Sequence, residues 1–301
     1  MNELGTDYRK KGRRNFVVRA ISDVKLSELA RAINPDLATV NLFLNKSETT
    51  DNEIPLACED LKINPDANIE TRSLMYEDIH GGTDYEMRYR HYYRGFYFQN
   101  LNLRHFYELL PTEAQTDKFR TEFLNQYLLA HHLGTVDMIT DNNIIILRNP
   151  DGEYETTKAF DLEFGVHTVD EWTAKNMCIN QYITDGAYGA LELGIDPENV
   201  QYIRGDKVLR KTANEFIERA HTVRNTKLDE IFNYEKIVPV VRHYLSNADC
   251  QPALEKTNIA RFNARKVLQK MGEVATKGYR DRFEMLADQY AEPATKGGFE
   301  L

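Results

Sequence analysis

The chain has 301 residues, of which 42% are hydrophobic and 28% are charged, a composition typical of a globular protein with a substantial core. Its formal net charge is −9, so no overall positive field would attract nucleic acid, and we expect no nucleic-acid partner. No apolar run approaches the roughly 20 residues that a transmembrane helix needs, so we expect no transmembrane segment.

Patterns typical of strands dominate the first 80 residues. A strand is predicted over Asn15–Ile21, a helix over Ser27–Ile33 and a second strand over Thr39–Leu44. Residues 45–70 are rich in turn formers and show no clear period. A further apolar strand over Arg72–Ile79 runs into two glycines, which is typical of a hinge. We therefore predict an N-terminal lobe over residues 1–80, with its hinge near residues 75–82.

The rest of the chain is typical of helices. Residues 85–107 are dense in aromatic side chains interleaved with arginines, a pattern that favours core packing, with a base-stacking surface as the alternative. A helix introduced by the capping-box spacing of Thr112 and Gln115 would carry an apolar stripe and end near Gly134. The later helices are predicted over Val169–Thr184, Thr212–Phe232, Tyr234–Ser246, Asn258–Met271 and Tyr279–Tyr290.

Strands followed by helices indicate an α+β fold with two lobes. The larger, helical C-terminal lobe would cover residues 81–292, and residues 293–301 would form a flexible tail. Three widely spaced cysteines fit reduced thiols and a cytoplasmic protein. Leaderless secretion into a host cell would leave the same signature and stays open.

Two short segments carry the residues best suited to chemistry. In the loop over residues 134–147, Asp137 precedes Asn142 by five positions, ahead of an apolar strand. In the loop over residues 160–165, Asp161 stands between apolar neighbours after a predicted hairpin. Phosphoryl transfer needs one carboxylate that orients the attacking hydroxyl, and an asparagine with a second carboxylate that hold metal ions. The alternative is that both segments are ordinary turns of a β-meander.

The order of these loops resembles the catalytic and metal-binding loops of the protein-kinase-like superfamily. It is similar to its divergent branches, the HipA-type toxin kinases and the phosphatidylinositol 3/4-kinase-like enzymes. The resemblance covers about residues 117–166. It implies a two-lobed protein-kinase-like fold, in which Asp137 is catalytic and Asn142 and Asp161 bind metal. It also implies ATP and Mg²⁺ or Mn²⁺ as cofactors, and is compatible with a bacterial effector-type kinase.

The nucleotide side of the resemblance departs from the family. There is no glycine-rich phosphate loop near the N-terminus, and the first predicted strand offers Arg19 where a lysine is expected. Lys25 is a fallback for the phosphate-pairing lysine, with Glu28 as a partner for an ion pair. Met75 and Tyr76 would lie near the adenine. These departures leave room for a pseudokinase or for nucleotidyl transfer.

Positive charge concentrates late in an otherwise acidic chain. Two pairs spaced four residues apart would flank one apolar stripe of a helix. A solvated amphipathic helix explains them, and the alternative is a site for a polyanion such as an inositol phosphate or an acidic lipid. The candidate anion-binding residues are Arg261, Arg265, Lys266 and Lys270.

The function these residues indicate is phosphate transfer from ATP to a hydroxyl, most readily a serine or threonine of a protein substrate. A lipid kinase, a small-molecule kinase or a nucleotidyl transferase is the alternative among enzymes. A catalytically silent interaction protein that docks through its aromatic region is the alternative of another class.

Overall fold

A computed structural model of the chain describes residues 7–10, 16–39, 41–43, 54–58, 68–69, 102–134, 146–160, 162, 195–239 and 264–290. The strands within these residues are β1 (Asp7–Lys10), β2 (Asn41–Phe43), β3 (Ile54–Cys58), β4 (Asn68–Ile69), β5 (Ile146–Arg148) and β6 (Tyr154–Thr156). The α-helices are α1 (Phe16–Ile33), α2 (Leu103–Leu109), α3 (Asp117–Leu133), α4 (Pro197–Gly205), α5 (Lys207–Thr226), α6 (Leu228–Ile231) and α7 (Ala264–Tyr290). Short 3₁₀ helices cover Thr112–Ala114 and Tyr234–Ile237.

The strands form two small antiparallel sheets, with the orders β1-β3-β2 and β4-β5-β6. The described strands pair antiparallel in both sheets, and helices make up most of the described residues, which confirms the α+β class. The strand predicted over Thr39–Leu44 is confirmed in its centre as β2. Strands β3 and β4 lie in the segment that showed no clear period, and the sequence did not predict them.

The predicted strand at Asn15–Ile21 is wrong, because residues from Phe16 onward belong to helix α1. Val17, Ile21 and Val24 recur at a helical spacing, but the β-branched residues Val17, Val18 and Ile21 favour a strand locally. The described side chains of α1 are buried on nearly every face from Ile21 to Ser27. A helix that is buried on all sides has no exposed polar face, so its sequence lacks the amphipathic pattern by which helices are usually predicted.

Helix α3 follows the predicted stripe closely. Phe119, Phe123 and Tyr127 are almost completely buried, and the helix contacts α5, α7 and β6. The prediction that it ends near Gly134 is confirmed: Gly134 adopts φ 64° and donates its backbone N–H to the carbonyls of the last turn. The predicted capping box is wrong, because the N-cap is Thr116, whose hydroxyl accepts from the N–H of Phe119.

The hairpin predicted after residue 144 is confirmed. Strand β5 pairs with β6 so that Ile146 faces Thr156, and the turn between them contains Gly152 at φ 89°. This register directs the segment before β5 and the segment after β6 to the same end of the hairpin. Asn142 and Asp161 belong to these two segments.

The later helices differ in part from the prediction. Helix α4 was not predicted, although Asp196 and Pro197 are the typical residues for an N-cap and a first helical position. The two helices predicted over Asn258–Met271 and Tyr279–Tyr290 are joined in one helix, α7. The predicted Tyr234–Ser246 helix begins as a 3₁₀ turn, is α-helical at residues 238–239, and beyond them lies outside the described residues. The helix predicted at Val169–Thr184 also lies outside the described residues.

The described buried residues form one hydrophobic core. It includes Leu26 and Leu29 of α1, Phe123 of α3, Phe216 of α5 and Tyr279 of α7. Helix α1 thus packs directly against helices from the C-terminal half of the chain. The lobe boundary at residue 80, the hinge and the tail lie outside the described residues and stay predictions.

Gly272 allows α7 to approach the chain around Phe232. A Cβ atom at residue 272 would lie 2.5 Å from the backbone oxygen of Phe232. We expect Gly272→Ala to lower the free energy of unfolding by about 1–3 kcal/mol, because the packed backbone must shift. Gly205→Ala is the matched control, since nothing lies within 4 Å of its added methyl group. Urea unfolding should leave that variant as stable as the wild type or more so, and equal losses in both variants would contradict the close approach.

Candidate active site

The three residues predicted for chemistry, Asp137, Asn142 and Asp161, lie outside the described residues, whereas the chain on either side of them is described. Helix α3 and Gly134 come immediately before the loop of Asp137. Strand β5 follows the loop of Asn142, and the backbone on both sides of Asp161 is in place. The edges of the candidate site are therefore the end of α3, the start of β5 and the backbone on either side of residue 161.

A buried arginine holds the end of α3 that leads into the first loop. Arg282 of α7 is 3% exposed, and its guanidinium donates two hydrogen bonds to the backbone carbonyl of His131, with Nε at 2.9 Å. The carbonyls at a helix C-terminus carry partial negative charge, so a cation here is favourable. Burial lowers the pKa of Arg282 to about 10, which leaves the group charged at neutral pH. This role was not predicted from the sequence.

His131 and His132 lie in the same buried corner. Burial, reinforced by the charge of Arg282, lowers the pKa of His131 well below its ordinary value and that of His132 to about 3. The ring of His132 packs edge-on against Phe216 and Tyr279, and its nitrogens have no hydrogen-bond partner among the described residues. Both histidines are therefore neutral at physiological pH. Among the described residues no cluster of three or more His, Cys, Asp or Glu side chains is suited to a metal ion.

Gln126 connects α3 to the segment that leads into the loop over residues 160–165. Its side-chain amide donates to the carbonyl of Leu37 at 3.0 Å and to the carbonyl of Thr157 at 3.4 Å. Gln126 is buried on a helix whose other inward residues are mostly apolar. A buried amide in such a position is the signal by which this contact could have been predicted.

Two further contacts hold the backbone beside Asp161. Ala159 forms a parallel bridge with Ala38: its N–H donates to Leu37 at 2.9 Å, and its carbonyl accepts from the N–H of Thr39 at 3.0 Å. On the other side, the N–H of Leu162 donates to the carboxylate of Asp23 at 2.8 Å. Asp23 was not among the predicted site residues, because it lies between the predicted strand and the predicted helix, where a polar residue is expected to be exposed.

The described nucleotide-side candidates give a mixed outcome. The ion pair between Lys25 and Glu28 is confirmed at 2.7 Å, but both residues lie on helix α1. The side chain of Lys25 is 8% exposed and also lies over the ring of Tyr234. Arg19 lies on α1 and not on the predicted strand, and its side chain is outside the described part. Met75 and Tyr76 are outside it too.

The basic stretch near the C-terminus is partly described. Arg265, Lys266 and Lys270 lie on or near the start of α7, but their side chains, like the whole of Arg261, are outside the described residues. Further along the helix, Arg280 contacts Asp229 at 3.4 Å, and the buried Arg282 binds a backbone carbonyl. Those two arginines therefore do not add free positive charge to an anion-binding face. The candidate polyanion site stays a prediction.

No protein-family model and no curated protein sequence match the chain. Among solved structures, it is similar to the crystal structure of a Helicobacter pylori proinflammatory kinase, CtkA, with a TM-score of 0.43 and 12% sequence identity. That similarity covers 95% of this chain and 94% of the other. A likeness of this strength does not establish a shared fold and carries no weight for the function. Within the described residues, no helix has the length and hydropathy to span a membrane.

Because folded His132 is neutral, the free energy of unfolding should depend on pH. In the unfolded chain a histidine takes up a proton below about pH 6.5, whereas folded His132 does so only near pH 3. The stability contributed by the neutral ring is thus complete above about pH 6.5 and is lost as the pH falls towards 3. At about pH 5 this loss is on the order of 2 kcal/mol.

We therefore expect His132→Leu to have a smaller drop in melting temperature between about pH 7.5 and about pH 5 than the wild type. The same substitution at the exposed His105 is the control and should leave the drop unchanged. If the melting temperature drops equally in the wild type and in His132→Leu, groups other than His132 cause the loss of stability at low pH.

Proposed function

We propose that the chain is an atypical kinase that transfers the γ-phosphate of ATP to a hydroxyl group, with a serine or threonine of a protein as the acceptor. The observation that supports this most directly is the antiparallel β5–β6 register, in which the start of β5 and the end of β6 lie at the same end of the hairpin. In the sequence Asn142 precedes β5, Asp161 follows β6, and Asp137 comes four residues after the end of α3, which Arg282 anchors.

In this proposal each predicted residue has a distinct role. Asp137 orients the acceptor hydroxyl and takes its proton as the oxygen attacks the γ-phosphorus and ADP leaves. Asn142 and Asp161 hold Mg²⁺ or Mn²⁺. Amide and carboxylate oxygens are the donors that such hard cations prefer, so the donor set fits. The metal, when bound, would neutralise negative charge on the phosphates.

The nucleotide would lie between the strands of an N-terminal lobe and the helical lobe, with Met75 and Tyr76 near the adenine and Arg19 or Lys25 near the phosphates. Protein kinases pair a strand lysine with a helix glutamate. The Lys25–Glu28 pair lies within one helix, so it does not reproduce that arrangement. Lys25 would have to leave Glu28 to reach a phosphate.

Two alternatives follow from the same residues. The acceptor hydroxyl could belong to a lipid or a small molecule, or the fold could serve nucleotidyl transfer. A protein without catalysis, which uses the fold only for interaction, is the alternative of another class. Nucleotide binding that depends on a metal separates this last alternative from the enzymes.

Asp161→Ala should abolish the stabilisation of the protein by ATP with Mn²⁺, because its carboxylate is proposed to hold the metal. The measurement is the shift in melting temperature with and without the nucleotide and metal. Glu218→Ala, which removes an exposed carboxylate from α5, is the control and should keep the full shift. If ATP with Mn²⁺ stabilises Asp161→Ala as much as the wild type, the kinase proposal fails.

Asp137→Ala should retain nucleotide binding and lose phosphate transfer, because its proposed contact is with the acceptor hydroxyl and not with the phosphates. The loss of rate should be well over tenfold, at about 1.4 kcal/mol of transition-state stabilisation per tenfold. Radiolabelled phosphate transfer to the protein itself or to a generic acceptor measures it. Full transfer by this variant would place the catalytic base elsewhere, with Asp141 the first residue to test.

A further inference from the structure

One stretch of chain contacts the backbone on both sides of residue 161. The turn after α1 pairs with Ala159, through the N–H of Thr39 and the carbonyl of Leu37. Within α1 itself, the carboxylate of Asp23 accepts from the N–H of Leu162 at 2.8 Å. Helix α1 and its C-terminal extension therefore hold the backbone two residues before and one residue after Asp161.

The contact with Leu162 acts on Asp161 through the peptide bond that joins them. A peptide unit is planar, so the direction of the Leu162 N–H also sets the direction of the Asp161 carbonyl. With Ala159 bound through both its N–H and its carbonyl, the described backbone is held on both sides of residue 161.

The burial of Asp23 indicates that this contact is more than a surface hydrogen bond. Asp23 is 1% exposed and so is Leu162, in a part of α1 surrounded by apolar residues such as Ile21 and Leu26. A carboxylate in such a place is costly unless it accepts hydrogen bonds, and the Leu162 N–H would be a buried donor without it. A purely packing helix would be served better by an apolar residue at this position.

We propose that Asp23 is a positioning residue, which holds the backbone of Asp161 so that the Asp161 carboxylate can bind the metal of the nucleotide. This inference rests on the proposed function, in which Asp161 is the metal ligand. Some residues hydrogen-bond to a metal ligand without contacting the metal themselves. Mutating such a residue typically lowers metal affinity about 10–100-fold. Asp23 would act by hydrogen bonding to the backbone, so its acceptor oxygen is required and its charge is not.

Three variants test whether Asp23 acts through its acceptor oxygen and not through its charge. Asp23→Ala removes the acceptor, whereas Asp23→Asn keeps an oxygen at nearly the same place and loses the charge. Asp36→Ala removes an exposed aspartate just after the same helix and is the matched control. The first measurement is the affinity for ATP with Mn²⁺, from the concentration dependence of the melting temperature. The second is hydrogen–deuterium exchange of the peptide that contains Leu162, without ligand.

We expect Asp23→Ala to bind ATP with Mn²⁺ at least about tenfold more weakly than the wild type. Exchange at Leu162 should be faster in this variant. Asp23→Asn should stay within about threefold of wild-type affinity and keep the slow exchange, because the accepting oxygen is retained. Asp36→Ala should match the wild type in both measurements.

The inference is overturned if Asp23→Ala binds within about threefold of the wild type, or if Asp23→Asn loses as much affinity as Asp23→Ala. Should Asp23→Ala not fold, Asp23→Glu replaces it: the longer side chain displaces the acceptor, so the same loss is expected and wild-type affinity overturns the inference. Asp161→Ala separates the two proposals. If Asp161→Ala abolishes binding while Asp23→Ala binds within about threefold of the wild type, only the role of Asp23 fails; if Asp161→Ala binds like the wild type, both proposals fail.

Discussion

The burial of helix α3 is the constraint on which the rest of the described structure depends. The helix contacts α5, α7 and strand β6 at once, so most of its surface is removed from water. Its polar groups must then be satisfied by the elements around it. The Tyr127 hydroxyl accepts from the amide of Asn199, whose own oxygen accepts from the N–H of Leu103. These bonds join α2 and α4 to α3.

The same requirement produces the features of the candidate active site. The amide nitrogen of Gln126 donates to the backbone carbonyls of Leu37 and Thr157, and this brings the turn after α1 beside the segment that leads to Asp161. At the other end of α3, the carbonyl of His131 receives the guanidinium of Arg282. Both edges of the site are thus fixed by polar groups that burial would otherwise leave unsatisfied.

Local patterns were sufficient where an element's own residues decide its structure. The stripe through Phe119, Phe123 and Tyr127, with Gly134 after it, predicted α3 because burial on one face and a left-handed glycine cap are both encoded locally. The hairpin was predictable because Asn149 and Gly152 are turn residues that follow an apolar run and precede a short segment with strand-forming Tyr154 and Thr156. The kinase-like motif also came from the sequence, through the order of Asp137, Asn142 and Asp161. Its geometry lies outside the described residues.

Local patterns failed where a distant contact outweighs the local preference. Residues from Phe16 to Ile21 are rich in β-branched side chains and favour a strand, yet they begin a helix whose later turns are buried on nearly every face. Gly272 would usually mark the end of a helix, but in α7 it allows close contact with the Phe232 backbone. The sequence alone thus determined the α+β class, helix α3, its glycine cap and the hairpin. Only the tertiary structure decided that Asp23 binds Leu162 and Arg282 binds His131, because these partners are far apart along the chain and meet only when the core forms.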